Sequence, residues 1–95
     1  MQDIPERYLL DNRKFNLDLW FNDIYGAMQI CDYFPHRVEV SSSSDISNKR
    51  NKWIIDNLQQ IWGCGSFKKI DGNIFTEVYF FRDINEATLF KLYWG

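Results

Sequence analysis

Alanine, histidine, proline and cysteine are all scarce in this chain. Ala27 and Ala87 are the only alanines, His36 is the only histidine, and proline and cysteine occur twice each in 95 residues. With one histidine, and with Cys31 and Cys64 in no C-x-x-C pair, neither a zinc-ligand set nor a disulfide framework can be drawn. Both thiols are read as reduced and packed, because free cysteine is among the most buried residue types. No apolar run approaches the roughly 18–20 residues needed to cross a bilayer, and the opening MQDIPERY has no basic stretch followed by an apolar one, the pattern of an export leader. A cytoplasmic protein without a membrane partner is expected. Glycine-rich phosphate loops, calcium-loop spacing, a dinucleotide fingerprint and a G-x-S-x-G elbow are missing too. The expectation is therefore a non-enzyme with no metal and no cofactor. Ser41–Ser44, His36 and Asp45 hold the residue types of a nucleophilic triad, but nothing frames them as one and they read as loop residues.

Aromatic side chains are plentiful: eight Phe, five Tyr and four Trp, 18% of the chain. An apolar fraction of 45% and a charged fraction of 25% are ordinary for a globular protein, and this length supports one hydrophobic core. A core of that size cannot swallow every ring, so some are expected at the surface, where Tyr and Trp serve as contact anchors.

Periodicity divides the chain into elements. Phe15, Leu17, Leu19 and Phe21 alternate with Lys14, Asn16, Asp18 and Trp20, which predicts a half-buried strand. Asn22 or Asp23 then caps a helix with Ile24, Ala27, Met28, Cys31 and Phe34 on one face, ended by Pro35. Arg37–Ser42 reads as a second strand, parallel to the first through a βαβ crossover. After the serine run a helix follows with Ile54, Leu58, Ile61 and Trp62 as its apolar stripe and Gly63 as its left-handed end. Gly63-Cys64-Gly65 turns into a hairpin of Phe67–Ile70 and Ile74–Phe81 around Asp71-Gly72-Asn73. Asp83 and Glu86 form an acidic capping box for a last helix, in which Ala87, Phe90 and Trp94, widened by Leu89 and Tyr93, dock on the sheet. The prediction is one layered α+β domain over 1–95, with 1–13 as an N-terminal extension. Its order is β-α-β-α-β-β-α, about four strands with three helices.

The net charge is only −2, but the middle third holds six bases (Arg37, Lys49, Arg50, Lys52, Lys68, Lys69) against three acids. Asn48-Lys49-Arg50-Asn51-Lys52-Trp53 would put three cations in the first turns of a helix, against its dipole. Such an arrangement suits a site for phosphate or carboxylate. Trp20 and Trp53 fall on the polar faces of their predicted elements and are the expected exposed rings. The binding site read from the sequence is thus Lys49, Arg50, Lys52, Trp53, Trp20 and Arg37.

The closing segment Val78–Gly95 ends in A-x-x-F-K-L-x-W-G after an aromatic strand and an acidic cap. It resembles the C-terminus of small uncharacterised proteins of tailed bacteriophages. The resemblance covers this segment only and carries no known activity. It implies a phage source and no site; small phage proteins of unknown role are often modulators or inhibitors of host machinery, which is the role expected here. The function expected is binding of a protein partner with an acidic surface. Nucleic-acid binding through the basic helix start is the alternative, and self-association along Ile74–Phe81 as an exposed sheet edge is a further expectation.

Overall fold

The computed structural model describes residues 4–10, 13–17, 19–20, 30–72 and 74–94. Among them the elements run from a 3-10 turn at Glu6–Tyr8 to α1 (Ile30–Tyr33), β1 (His36–Ser42), α2 (Ser44–Asn57), β2 (Trp62–Asp71), β3 (Ile74–Phe81) and α3 (Ile84–Trp94). The α+β class holds. The sheet has three strands rather than four, in the order β1-β3-β2.

Among the described residues, the strand expected from Lys14 does not form. Lys14 and Phe15 make only isolated bridges, to Trp62 and Leu9, and the chain then turns helical. The Asn16 carboxamide oxygen accepts from Leu19 N–H at 3.1 Å while its carbonyl accepts from Trp20 N–H at 3.1 Å. Asn16 acts as a helix cap, and that local bond outcompetes the alternating pattern. The predicted helix start at Asn22 or Asp23, with Ile24, Ala27 and Met28, lies outside the described residues. Its end is described: α1 runs to Tyr33, and Pro35 follows.

Both ladders are antiparallel, with Val38 opposite Tyr79 and Cys64 opposite Tyr79. The expected parallel neighbours are thereby corrected. β3 is the central strand, not an edge, so it offers no free edge for self-association. This explains its nearly continuous apolar run, since a strand covered on both faces has no solvent side to mark with polar residues. Tyr79 and Phe81 point into one core with Val38, Ile54, Leu58, Trp62, Ala87 and Phe90. Val78 and Phe80 point into the other, with Tyr8, Phe15, Trp20, Tyr33 and Phe34. Tyr8 is thus a core residue of the segment read as an extension.

Helix α2 begins at Ser44, where the Ser43 side chain accepts from Ile46 N–H, and ends at Asn57. It does not continue through Ile61 to Gly63. Leu58 is extended, and Arg13, held at φ 65°, donates from Nη2 to Leu58 O at 2.7 Å. A guanidinium on the last carbonyls satisfies acceptors the helix leaves open and matches its dipole. Trp62 then starts β2, and Gly63-Cys64-Gly65 is strand rather than turn. Gly63 allows Phe15 a close approach: a Cβ there would stand 3.3 Å from Phe15 Cβ, tighter than usual. The hairpin bend at Gly72, with φ +47°, falls where the Asp-Gly pair put it.

Helix α3 spans the predicted residues, but its start is built differently. Asp83 accepts from Asn85 N–H at 3.0 Å, whereas Glu86 reaches across to Gln59 N–H (2.9 Å) and Gln60 N–H (3.2 Å). Glu86 therefore ties α3 to the segment after α2 instead of closing a capping box. No described helix is long and apolar enough to cross a membrane.

Candidate functional site

The sequence places the basic run at a helix start; the fold moves it inward. With α2 beginning at Ser44, Lys49, Arg50 and Lys52 sit in its second and third turns, beyond the reach of the positive helix end, whose first turn holds Asp45. Lys49 is exposed. Lys52 donates to Asp56 Oδ2 at 3.0 Å as an i,i+4 pair on the surface. Arg50 is turned into the molecule and only 7% exposed. Its Nη1 donates to Ser41 O at 3.0 Å and to Ser42 Oγ at 2.5 Å.

Arg50 belongs to a polar seam between α2 and the sheet. Ser42 Oγ passes its proton donation on to Glu77 Oε1 at 2.8 Å, and Ser47 Oγ donates to Glu77 Oε2 at 2.7 Å. A buried guanidinium and a buried carboxylate are thus coupled through one serine hydroxyl. Further along, Lys14 Nζ donates to Asn51 Oδ1 at 3.0 Å and stands 5.3 Å from the Trp62 ring centre. Cys64 lies on the same seam. Burial pushes its thiol up to about 11, against a smaller opposing pull from Lys14. Burial, then the neighbouring Glu77 carboxylate, raise the Tyr79 phenol as well. Burial thereby favours the protonated thiol of Cys64 near pH 7. Cys31, expected to be packed, is exposed on α1.

The two candidate rings part company. Trp20 is 5% exposed, inside the second core, so the expectation of an exposed ring is corrected there. The helical turn capped by Asn16 rotates it inward. Trp53 is half-buried and forms the floor of a surface cluster. It stacks on Tyr93 with centroids 5.0 Å apart and meets Trp94 and Phe90 edge-on at 6.5 and 6.1 Å.

Around Trp53 the last helix presents side chains that were expected against the sheet. Ala87 and Phe90 are buried as predicted and Trp94 is half-buried. Leu89, Tyr93 and Leu92 instead face solvent, at 49%, 65% and 81% exposed. Trp53, Asn57, Leu89, Leu92 and Tyr93 line a shallow groove of about 370 Å³. On the other side of Trp94, a cleft of about 370 Å³ is lined by Arg50, Lys91, Ser41 and Glu39 among others. The Arg50 guanidinium stands 5.4 Å from the Trp94 ring centre. Arg37 is exposed on β1 and lines a neighbouring cleft of about 430 Å³ with His36, Ile84 and Lys91.

Of the six residues read from the sequence, the fold thus gathers Arg50 and Trp53 at the junction of α2 and α3. It leaves Lys49, Lys52 and Arg37 on the surface and buries Trp20. The groove residues Leu89, Leu92 and Tyr93, and Lys91 beside them, escaped the sequence reading. A signal for them exists: seven of the eleven residues of α3 are apolar, more than one docked face can cover. Among the described residues no cluster of His, Cys, Asp and Glu is arranged to hold a metal ion. No family model, curated protein or solved structure matches the chain.

Proposed function

We propose that this chain is a binding module that docks a partner protein on the groove of Trp53, Leu89, Leu92 and Tyr93. The observation that carries the reading is the exposure of Leu92 and Tyr93 beside a stacked Trp53. Isolated exposed apolar residues are ordinary, but a contiguous set with aromatic anchors marks an interaction surface. Trp94, which packs on Trp53 and Tyr93 of the groove, also lines the cleft of Arg50 and Lys91, which favours a partner with an acidic surface. Together with the likeness of the closing segment to small phage proteins, this supports a modulator that occupies a host protein in the cytoplasm. Nucleic-acid binding finds less support, because Trp20 and Arg50 are turned inward and Lys52 is paired with Asp56.

The test compares wild-type chain with Leu92→Glu/Tyr93→Ser as bait in host lysate, alongside light scattering of each. Partners retained by the wild type should be absent from the variant, which should melt like the wild type. If identical partners bind both proteins, the groove is not the docking surface. A concentration-dependent dimer that the variant abolishes would make a second copy the occupant instead.

A further inference from the structure

Arg50 is more than nine-tenths buried, yet no carboxylate of the described residues pairs with it. One guanidinium nitrogen is used by Ser41 O and Ser42 Oγ, and Glu77 is reached only through the Ser42 hydroxyl. Arg50 Nε and Trp94 Nε1 have no acceptor among the described residues. Burying a cation and two N–H donors without acceptors is costly; both donors are closed off from solvent, while their residues, Arg50 and Trp94, line one cleft together with Lys91. Among the described residues Glu39 is the only carboxylate in that lining, and the neighbouring cleft adds His36 and Arg37 with no described carboxylate. The clefts are therefore basic, in a chain whose net charge is −2. The Trp94 ring divides this basic notch from the apolar groove, since its neighbours Trp53 and Tyr93 line the groove and Trp94 itself lines the notch.

We infer that the notch of Arg50, Lys91 and Trp94 receives a carboxylate of the docked partner, so that the segment recognised is a linear peptide carrying an acidic group next to bulky apolar side chains. The inference rests on the docking surface proposed above and gives it a chemical specificity. The apolar side chains occupy the groove of Trp53, Leu89, Leu92 and Tyr93. The carboxylate lies against the basic lining of the notch, with Lys91 closing over it from the rim. Charge-assisted hydrogen bonds of this kind are the strong ones, and Glu39 at the cleft wall opposes them.

The experiment titrates isotope-labelled protein with blocked peptides in which a Glu-Glu pair adjoins Leu, Phe and Trp, with the matching Gln-Gln peptides, and with Gln-Gln peptides bearing a free C-terminal carboxylate. The acidic peptides should bind at least about ten-fold tighter than their blocked amide counterparts, the ratio given by one charged hydrogen-bonded contact. They should shift the indole N–H resonance that disappears in Trp94→Phe. Lys91→Glu, an exposed position, should erase the advantage, and Glu39→Gln should enlarge it. The free-carboxylate peptides tell whether a chain terminus or a side chain is the group received. Equal binding by acid and amide peptides, lost in Leu92→Glu, would leave the groove standing and overturn the carboxylate inference. An acid advantage that survives Lys91→Glu also overturns it. If no peptide binds, the linear-segment inference fails, while the groove is judged separately by the lysate comparison.

Discussion

On one face of the sheet, Tyr8, Phe15, Trp20, Tyr33 and Phe34 close over Val78 and Phe80, and every one of these side chains is buried. On the other, Tyr79, Phe81, Trp62 and Phe90 are buried as deeply, but the helices covering them carry a second, outer shelf of Trp53, Leu89, Leu92 and Tyr93. The first face spends its rings on cohesion. Phe34 packs edge-on to Phe15 at 5.2 Å, and Phe15 against Tyr33 at 5.7 Å. The second face divides them between the core and an exposed shelf, the proposed contact surface. An excess of aromatic residues therefore has two explanations within one small protein, and only the rings left over after the sheet is covered speak about function. Folding and binding should be separable by mutation on the second face and inseparable on the first.

The largest effects should come from the two cores. Phe90→Ala, which removes a fully buried ring packed on Tyr79 and Phe81, and Trp20→Ala on the opposite face should each cost about 3–5 kcal/mol in denaturant unfolding. A loss under about 1 kcal/mol for Trp20→Ala would mean that the N-terminal layer is not a second core, and the comparison would collapse. Next comes the seam between α2 and the sheet. Glu77→Gln leaves the Arg50 charge uncompensated at the far side of Ser42, and should cost about 1–3 kcal/mol. A double-mutant cycle with Ser42→Ala should show the two changes coupled, as expected of one network.

A milder effect follows from pH. Burial holds Cys64 at about 11 against an ordinary 9.0 and raises Tyr79 too, so the fold favours the protonated form of each. The stability tied to Cys64 is intact below pH 9 and drains as pH rises toward 11. Denaturation midpoints should fall over that window, and Cys64→Ala should flatten the fall. In the same protein at neutral pH, an alkylating reagent should modify exposed Cys31 well before Cys64. The smallest effect belongs to the outer shelf: Leu92→Glu/Tyr93→Ser should alter stability by no more than about 0.5 kcal/mol, as is usual for surface changes.

The second face was the more legible of the two in the sequence. The alternation of Arg37–Ser42, the Asp-Gly bend and the span of the last helix all stand where period and turn chemistry put them, because each is set by neighbours close along the chain. The first face was misread for a matching reason. Lys14–Phe21 alternates like a strand, yet the Asn16 cap turns it helical and buries Trp20, a decision made by one side-chain hydrogen bond that hydropathy does not register. The end of α2 was misplaced because its terminator, Arg13, comes from more than forty positions away. The basic run was read as a helix start because the helix was begun too late. Once Ser43 caps α2, Arg50 faces the sheet and Lys49 and Lys52 face water. Leu89 and Tyr93 of the outer shelf were assigned to the core because helical spacing identifies an apolar stripe without saying how wide a stripe the sheet can cover.

The separation of folding from contact is tested most directly by measuring unfolding free energy and partner binding on the same preparation of Leu92→Glu/Tyr93→Ser. Unchanged stability with binding lost is the predicted result. Lost stability, or full binding with the fold intact, would contradict the account.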